Sequence, residues 1–335
     1  MKLDNKSGKF LKDLAGCPKI KKKRCVPVEY ALAGFVKASI FIGMDADIHL
    51  LYGSGFYRIL NFKCRCRDCC TSGPEYSKSF SISFVRKGNF IFNVFRHALD
   101  SYTGCVLVTK PGYERTVTHA HSIPDECTIL DFKNDFYAAL KQQYAGVKFF
   151  TDEDLHSTLI KTTAETEWLH FSLLQHIQHQ TESRLYMDTI VMQIIRRVLE
   201  HLTVYKPDER VHAQLKKNHL TTIERAKEYM MQQFTSDISL TDLSKHCHIS
   251  PFHFSRIFST FTRTSPHRFL LGLRLKHAEM LLQHTRLPVG DIGFSSGFNS
   301  IEHFSAAFKS RYTCSPAKFR ELHQGHLLIK DHYPE

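Results

Sequence analysis

The sequence predicts an α+β chain: an N-terminal antiparallel β-sandwich or barrel with helices, followed by an all-α domain holding two helix-turn-helix units. Three observations predict it. Apolar residues recur with period two between Phe80 and Phe132. From about Thr151 the period lengthens to three or four. Within the last third, the chain matches itself at an offset of fifty residues. At ~100–200 residues per domain, 335 residues suit two domains, each large enough to bury a core.

The strand pattern comes first. Phe80, Ile82 and Phe84 alternate with polar residues, Lys87-Gly88-Asn89 reads as a turn, and Phe90, Phe92 and Val94 alternate again. Val106 and Val108, the turn Pro111-Gly112 and Val117 continue the series. Thr151-Asp152-Glu153-Asp154 then reads as a helix start with acids in its first turn, and the helix is expected to run to about Gln178. A second helix carries Leu185, Ile190, Val191, Ile194, Ile195, Val198, Leu199 and Leu202 as a stripe. That stripe packs either on the strand domain or on a second copy of the chain.

The repeat carries the most information. Ser250-Pro251-Phe252-His253-Phe254-Ser255-Arg256-Ile257-Phe258 aligns with Ser300-Ile301-Glu302-His303-Phe304-Ser305-Ala306-Ala307-Phe308. Ser265-Pro266 and Phe269 align with Ser315-Pro316 and Phe319, so eight of the twenty positions 250–269 are identical to their partners. Serine before each segment is an N-cap, and Pro251 stands where a helix tolerates proline. The paired Phe residues four apart face a core together. A short helix precedes each copy: one from Ser239, with Asp242 completing an approximate capping box, and one at Val289–Phe294. Short helix, tight turn and second helix make a helix-turn-helix. Between the copies, Arg268–Thr285 reads as a rigid connecting helix.

Charge points to the same region. Net charge is +12 with His neutral. It is concentrated in residues 1–24 and in 216–321, each at +7, while 25–215 is nearly neutral. Basic residues on ordered helices suit a polyanion, so double-stranded DNA is the expected partner. Two recognition helices on one chain would enter successive major grooves ~34 Å apart. The competing reading is a helical repeat that binds protein.

From these residues upward, Ile249–Phe258 resembles the first recognition segment of AraC/XylS-type regulators. Asp291–Ser300, with His303-Phe304-Ser305, Phe308-Lys309 and Ser315–Arg320, resembles that family's C-terminal signature. The match covers about 220–321, and the strand-rich part resembles the cupin-like sensor domain found upstream in the family. The resemblance implies base-facing roles for Phe252, Ser255 and Arg256 in the first unit, and for Ile301, Glu302 and Ser305 in the second. It implies a transcription regulator, activation being its commoner outcome, with RNA polymerase as partner and a small-molecule effector or a homodimer possible. Arg can pair bidentately with guanine, and Glu302 can accept from cytosine. Ala306 stands where the family often has Arg, so the first unit is expected to read sequence harder. Arg263, Lys309 and Arg311 are candidate phosphate contacts, or simply a solvated basic face.

The expected organisation is a basic tail at 1–27, a cupin-like domain at 28–150 and a helical segment at 151–205. A linker at 206–217, the double helix-turn-helix at 218–321 and a tail at 322–335 complete it. Ten cysteines form no evident disulfide framework, and a reducing cytosol is the simpler setting. The apolar run Ala31–Met44 is broken by Lys37 and too short to span a bilayer, so neither export signal nor membrane span is expected. Cys64, Cys66, Cys69 and Cys70 could hold zinc or act as a redox sensor, but C-x-C-x-x-C-C is not a usual zinc-finger spacing. His119 and His121 would share a strand face, and the plainer reading is a solvent-facing pair. No catalytic triad, phosphate loop or H-E-x-x-H occurs, so neither an enzyme nor a cofactor is expected. The alternative is a Cys/zinc-dependent or thiol-reactive sensor, or a DNA-repair enzyme, fused to the same DNA-binding domain.

Overall fold

The computed structural model describes residues 46–66, 71–119, 124–179, 183–203 and 211–324. The expectations for the basic tail, for Cys69 and Cys70, and for His121 lie outside these. The chain forms two compact units, and it passes between them more than once. The first takes in the residues up to Thr162 and Gln175–Glu224; the second takes Thr163–Leu174 and the chain from Arg225.

The first unit is the expected β-sandwich. Its strands are β1 (Ala46–Gly53), β2 (Tyr57–Cys64), β3 (Glu75–Tyr76), β4 (Phe80–Lys87), β5 (Asn89–Val94), β6 (His97–Tyr102), β7 (Cys105–Thr109), β8 (Glu114–His119), β9 (Glu126–Phe132) and β10 (Ser157–Lys161). Six form one sheet, in the order β1-β2-β9-β4-β7-β10, and four form the other, β3-β8-β5-β6. Neighbours are antiparallel throughout. Leu60, Phe62, Leu107 and Ile129 of the larger sheet meet Phe90, Phe92 and Val117 of the smaller in one core.

The inner strands β4, β7 and β9 of the larger sheet are largely buried on both faces, with helices against the outer one. Phe132 stacks on Phe136 of α1 (Asn134–Gln143), and Phe80 lies 6.2 Å from Phe150 of α2 (Lys148–Thr151), centroid to centroid. Cys105–Thr109 is accordingly buried at every residue, which hides its alternation. Both expected turns are present, with Gly88 at φ 89° and Gly112 at φ 91°. At Gly88 a Cβ would stand 2.1 Å from Oδ1 of Asp125, so the turn that carries the chain from β4 in one sheet to β5 in the other requires glycine.

The expected helix from Thr151 and the expected linker at 206–217 are corrected. The helix expected from Thr151 to Gln178 is divided: α2 ends at Thr151, strand β10 follows, and α3 (Ala164–His179) begins only after it. Ser157–Lys161 pairs with β7, a partner some fifty residues away that outweighs the local helix signal. Of the two readings of the stripe on α4 (Arg184–Thr203), packing on the strand domain is the one seen: from Ile190 to Leu202 its members are buried, against α2 and β10 among others. Leu185, at 77% exposure, is the member left outside. Helix α5 (Ala213–Gln233) starts inside the segment read as a linker, and its Lys216 pairs with Asp100 of β6.

The second unit is helical. After the start of α3 and the end of α5 come α6 (Leu240–His246), α7 (Pro251–Thr262), α8 (Pro266–His284), α9 (Val289–Ser295), α10 (Ile301–Tyr312) and α11 (Pro316–Gln324). No described helix is long and apolar enough to cross a membrane.

Candidate DNA interface

Each helix-turn-helix is set by local chemistry. Ser239 caps α6, its hydroxyl accepting from the Asp242 amide at 3.1 Å while the Asp242 carboxylate accepts the Ser239 amide at 3.0 Å. Ser250 and Ser300 accept the amides of His253 and His303, at 3.3 and 3.1 Å, and so open α7 and α10. Ser265 and Ser315 do the same for α8 and α11. The repeat extends to the backbone, since α7 and α10 both end on a left-handed residue, Arg263 at φ 61° and Thr313 at φ 63°.

The turns inside the two units use the same left-handed device with different residues. In the first, His248 has φ 57°; in the second, Gly297 has φ 86°. The second is the more crowded. A Cβ on Gly293 would meet the Phe304 ring at 2.8 Å, so α9 and α10 approach more closely than any side chain at 293 permits.

Packing decides which faces remain outside. Phe254, Ile257, Phe258 and Phe261 bury one side of α7. Phe304 and Phe308 do so for α10, in a core shared with Leu275, Leu282, Ile292 and Phe319. The opposite face of α7 presents Phe252, 80% exposed, with Ser255 and the exposed Arg256 three and four residues on. On α10, Ile301 is 43% exposed and Glu302 exposed, with Ser305 half-buried on the same side. Ile301 also packs locally, since a Cβ on Gly290 would reach its Cδ1 at 3.2 Å. All six residues singled out in the sequence thus lie on the outward sides of the two second helices.

The three cations differ. Lys309 and Arg263 are exposed. Arg311 is engaged within the unit: its Nε donates to Oε1 of Glu165 on α3 at 2.7 Å, and the two form an ion pair. Glu165 is remote in sequence, so nothing in the repeat signals this partner.

His277 of α8 lies beneath the second turn. Its Nδ1 is 3.0 Å from the Ser296 hydroxyl, and it packs against Trp168 and Phe234. Burial lowers its pKa to about 4. The unfolded chain, near the ordinary 6.5, binds the proton more readily, so this contribution is present above about pH 6.5 and lost as pH falls towards 4. The second unit is expected to lose up to about 3 kcal/mol across that window. Trp168 is the chain's one tryptophan and belongs to this unit, so urea unfolding followed by its fluorescence at pH 7 and pH 5 measures the loss. Equal midpoints for the wild type at the two pH values, or a shift of the same size in His277→Gln, would contradict the assignment.

In the first unit, Cys64 and Cys66 are buried. His119 is also buried rather than solvent-facing, because β8 closes on the larger sheet. Its Nδ1 lies 2.9 Å from Oδ2 of Asp125. Burial works against a charged imidazole there, but the hydrogen bonds to Asp125 and Cys66 hold its pKa up at about 9. Asp125 carries no sequence signal of its own. His119 does, through its spacing from His121. A cavity of about 40 Å³ lies between the sheets, lined by Phe62, Phe90, Arg115 and His119 among others. Tyr113 packs against the sandwich core and stacks on His156, ring centroids 3.5 Å apart.

Comparison with known proteins agrees with the helical geometry. A family model described as a helix-turn-helix domain matches residues 243–322. The Msm operon regulatory protein of Streptococcus mutans is 30% identical over 261 residues, which is 77% of this chain and 89% of that protein. An uncharacterized HTH-type transcriptional regulator of Staphylococcus aureus is 26% identical over 193 residues. That match takes in 55% of this chain but only 25% of the regulator, so the chain spans about a quarter of that relative's length. Among solved structures, the C-terminal domain of AraT, a response regulator from Geobacillus stearothermophilus, shares 28% identity over 30% of this chain and 84% of that one, with a TM-score of 0.30. The Streptococcus regulator aligns along most of its length with more of this chain than the helical unit alone holds, and the chain belongs to the AraC/XylS family of DNA-binding transcriptional regulators.

Proposed function

We propose that this regulator reads a specific DNA site mainly through α7, with Arg256 as the principal base contact, and that its N-terminal unit receives the signal that controls it. The observation carrying this reading is the outward face of α7. A phenylalanine at 80% exposure beside a serine and an arginine gives folding nothing, but it suits a major groove. Arg256 offers guanine a bidentate pair, and Phe252 offers thymine's methyl an apolar surface. On α10, Ile301, Glu302 and Ser305 take the corresponding places. Ala306 leaves that helix without a basic reader, and its share in specificity is the smaller. Lys309 and Arg263 contact phosphates. Arg311, held by Glu165, contributes less. The outcome of binding is activation through RNA polymerase, by the family's commoner mode. A small-molecule effector or a second copy of the chain acts through the first unit.

The test is binding of the full-length chain to fragments of its own upstream region and to random duplex, at fixed salt. Arg256→Ala is expected to weaken the preferred fragment by ~1–3 kcal/mol, about 5- to 150-fold, and to leave random duplex nearly unchanged. Lys309→Ala is expected to weaken both alike and to lower the salt slope by about one. Equal losses of Arg256→Ala on the two DNAs would remove it from base reading.

A further inference from the structure

We propose that Cys64, Cys66 and His119 form a binding site for a zinc ion inside the β-sandwich of the first unit. The three residues come from opposite sheets. Cys64 ends β2 in the six-stranded sheet, Cys66 lies two residues beyond, and His119 ends β8 in the four-stranded one. All three are buried, and one donor atom from each lies within 4.8 Å of the other two. The Cys64 sulfur is 3.7 Å from Nδ1 and 3.9 Å from Nε2 of His119. Tetrahedral zinc, with bonds of ~2.3 Å to sulfur and ~2.0 Å to nitrogen, places such donors roughly 3.5–3.8 Å apart. The cluster therefore closes on an ion by contracting about 1 Å or less.

Asp125 completes the arrangement. It accepts from His119 at Nδ1, 2.9 Å away, which makes Nε2, 3.9 Å from the Cys64 sulfur, the nitrogen that would ligate the ion. A carboxylate behind a histidine ligand fixes the ring's orientation and raises its basicity, as in carboxylate–histidine–zinc sites. The backbone holds Asp125 in place. Its carbonyl accepts the Cys64 amide at 2.9 Å, and Gly88 gives it room that a Cβ would fill. Two thiols, an imidazole and its carboxylate are an unusual content for a sandwich core, where apolar side chains would pack without any polar partner.

The donor set selects the ion. Two sulfurs and one nitrogen suit zinc and exclude magnesium or calcium, which take oxygen. Three protein ligands leave a fourth position. His119 and Asp125 line the 40 Å³ cavity, room for a water molecule or two to occupy it. Binding requires both thiols to give up their protons to solvent, with sulfur–zinc bonds replacing sulfur–hydrogen bonds and no change of oxidation state. The site stands independently of the DNA reading, and its failure leaves the Arg256 experiment untouched.

The experiment uses the full-length chain, reduced, loaded with Zn2+ and challenged with a chromophoric chelator. One equivalent per chain is expected to resist the chelator, and Cys64→Ser and Cys66→Ser are each expected to lose it. Cys247→Ser, altered in the second unit, is expected to retain it. Asp125→Asn is expected to keep the ion with about 10–100-fold weaker affinity, which a donor uninvolved in zinc would not cause. Cobalt bound to the wild type is expected to show thiolate-to-metal charge-transfer absorption, a readout that does not depend on any variant folding. Absence of that band, no zinc retained by the folded reduced chain, or full retention in Cys64→Ser/Cys66→Ser overturns the proposal.

Discussion

Replacing Phe308 with alanine is expected to cost the second unit about 3–5 kcal/mol, the range for removing a fully buried aromatic side chain. Phe308 is completely buried and sits at the centre of an aromatic group, with ring centroids 5.6 Å from Phe304, 4.4 Å from Tyr312 and 5.3 Å from Phe319. Truncation leaves a cavity among residues of α10 and α11, and these cannot collapse into it without moving the N-caps at Ser300 and Ser315. Phe258 occupies the matching place in the first repeat, edge-on to Phe269 at 5.5 Å and tilted against Phe254 at 5.5 Å. Phe258→Ala is expected to cost a similar amount. Small domains hold only ~5–15 kcal/mol in reserve, so either change removes a large share of it. Trp168 fluorescence in a urea titration reads both losses. A cost below about 1 kcal/mol at Phe308 would mean that the second repeat tolerates the cavity and that its core is less closely packed than the rings indicate.

What could be read in the sequence divides along the distance between partners. The serine caps were legible because an N-cap and the amide it accepts are three residues apart. Ser239, Ser250, Ser265, Ser300 and Ser315 all make that bond. The expected base-facing roles of Arg256 and Glu302 came from the family resemblance, and helical spacing agrees with it by placing them away from the buried Phe pairs. Strand β10 was missed because its identity comes from β7, while Thr151-Asp152-Glu153-Asp154 imitates a helix start. β1 escaped notice too, since half-exposed residues on a sheet edge show little alternation. The Cys64–His119–Asp125 constellation was half visible. Two thiols and a paired histidine stood out, but only the folding of one sheet over the other brings positions 55 residues apart into contact. Nor could spacing show that Arg311 faces Glu165 rather than solvent.

Gly297→Ala is expected to destabilise the second unit by about 2–4 kcal/mol and to abolish sequence-specific binding, while His248→Gly changes stability by less than about 1 kcal/mol. Both residues occupy the left-handed turn of a helix-turn-helix, where a Cβ alone costs ~1–2 kcal/mol. His248 shows that the first helix-turn-helix bears this cost. The second has no space for it. A Cβ on Gly297 would stand 2.8 Å from the Phe234 carbonyl oxygen, 2.9 Å from Nε of Arg274 and 2.9 Å from Cα of Thr235. Two of those are backbone atoms that cannot swing aside. The third belongs to the guanidinium that bonds the same Phe234 carbonyl at 2.8 Å and the Ser236 carbonyl at 2.7 Å, so relieving the clash breaks the tie between α8 and the end of α5. The turn also delivers the Phe298 amide to the Gly293 carbonyl at 3.1 Å, and this sets the direction in which α10 departs. A displaced α10 carries Ile301, Glu302 and Ser305 with it, and a shift of even 1 Å misplaces hydrogen bonds to base edges. Urea midpoints and binding to the preferred upstream fragment, measured for both variants, separate the two turns. A loss below about 1 kcal/mol for Gly297→Ala would show that the backbone around the second turn yields to a Cβ, and that crowding is not what requires glycine there.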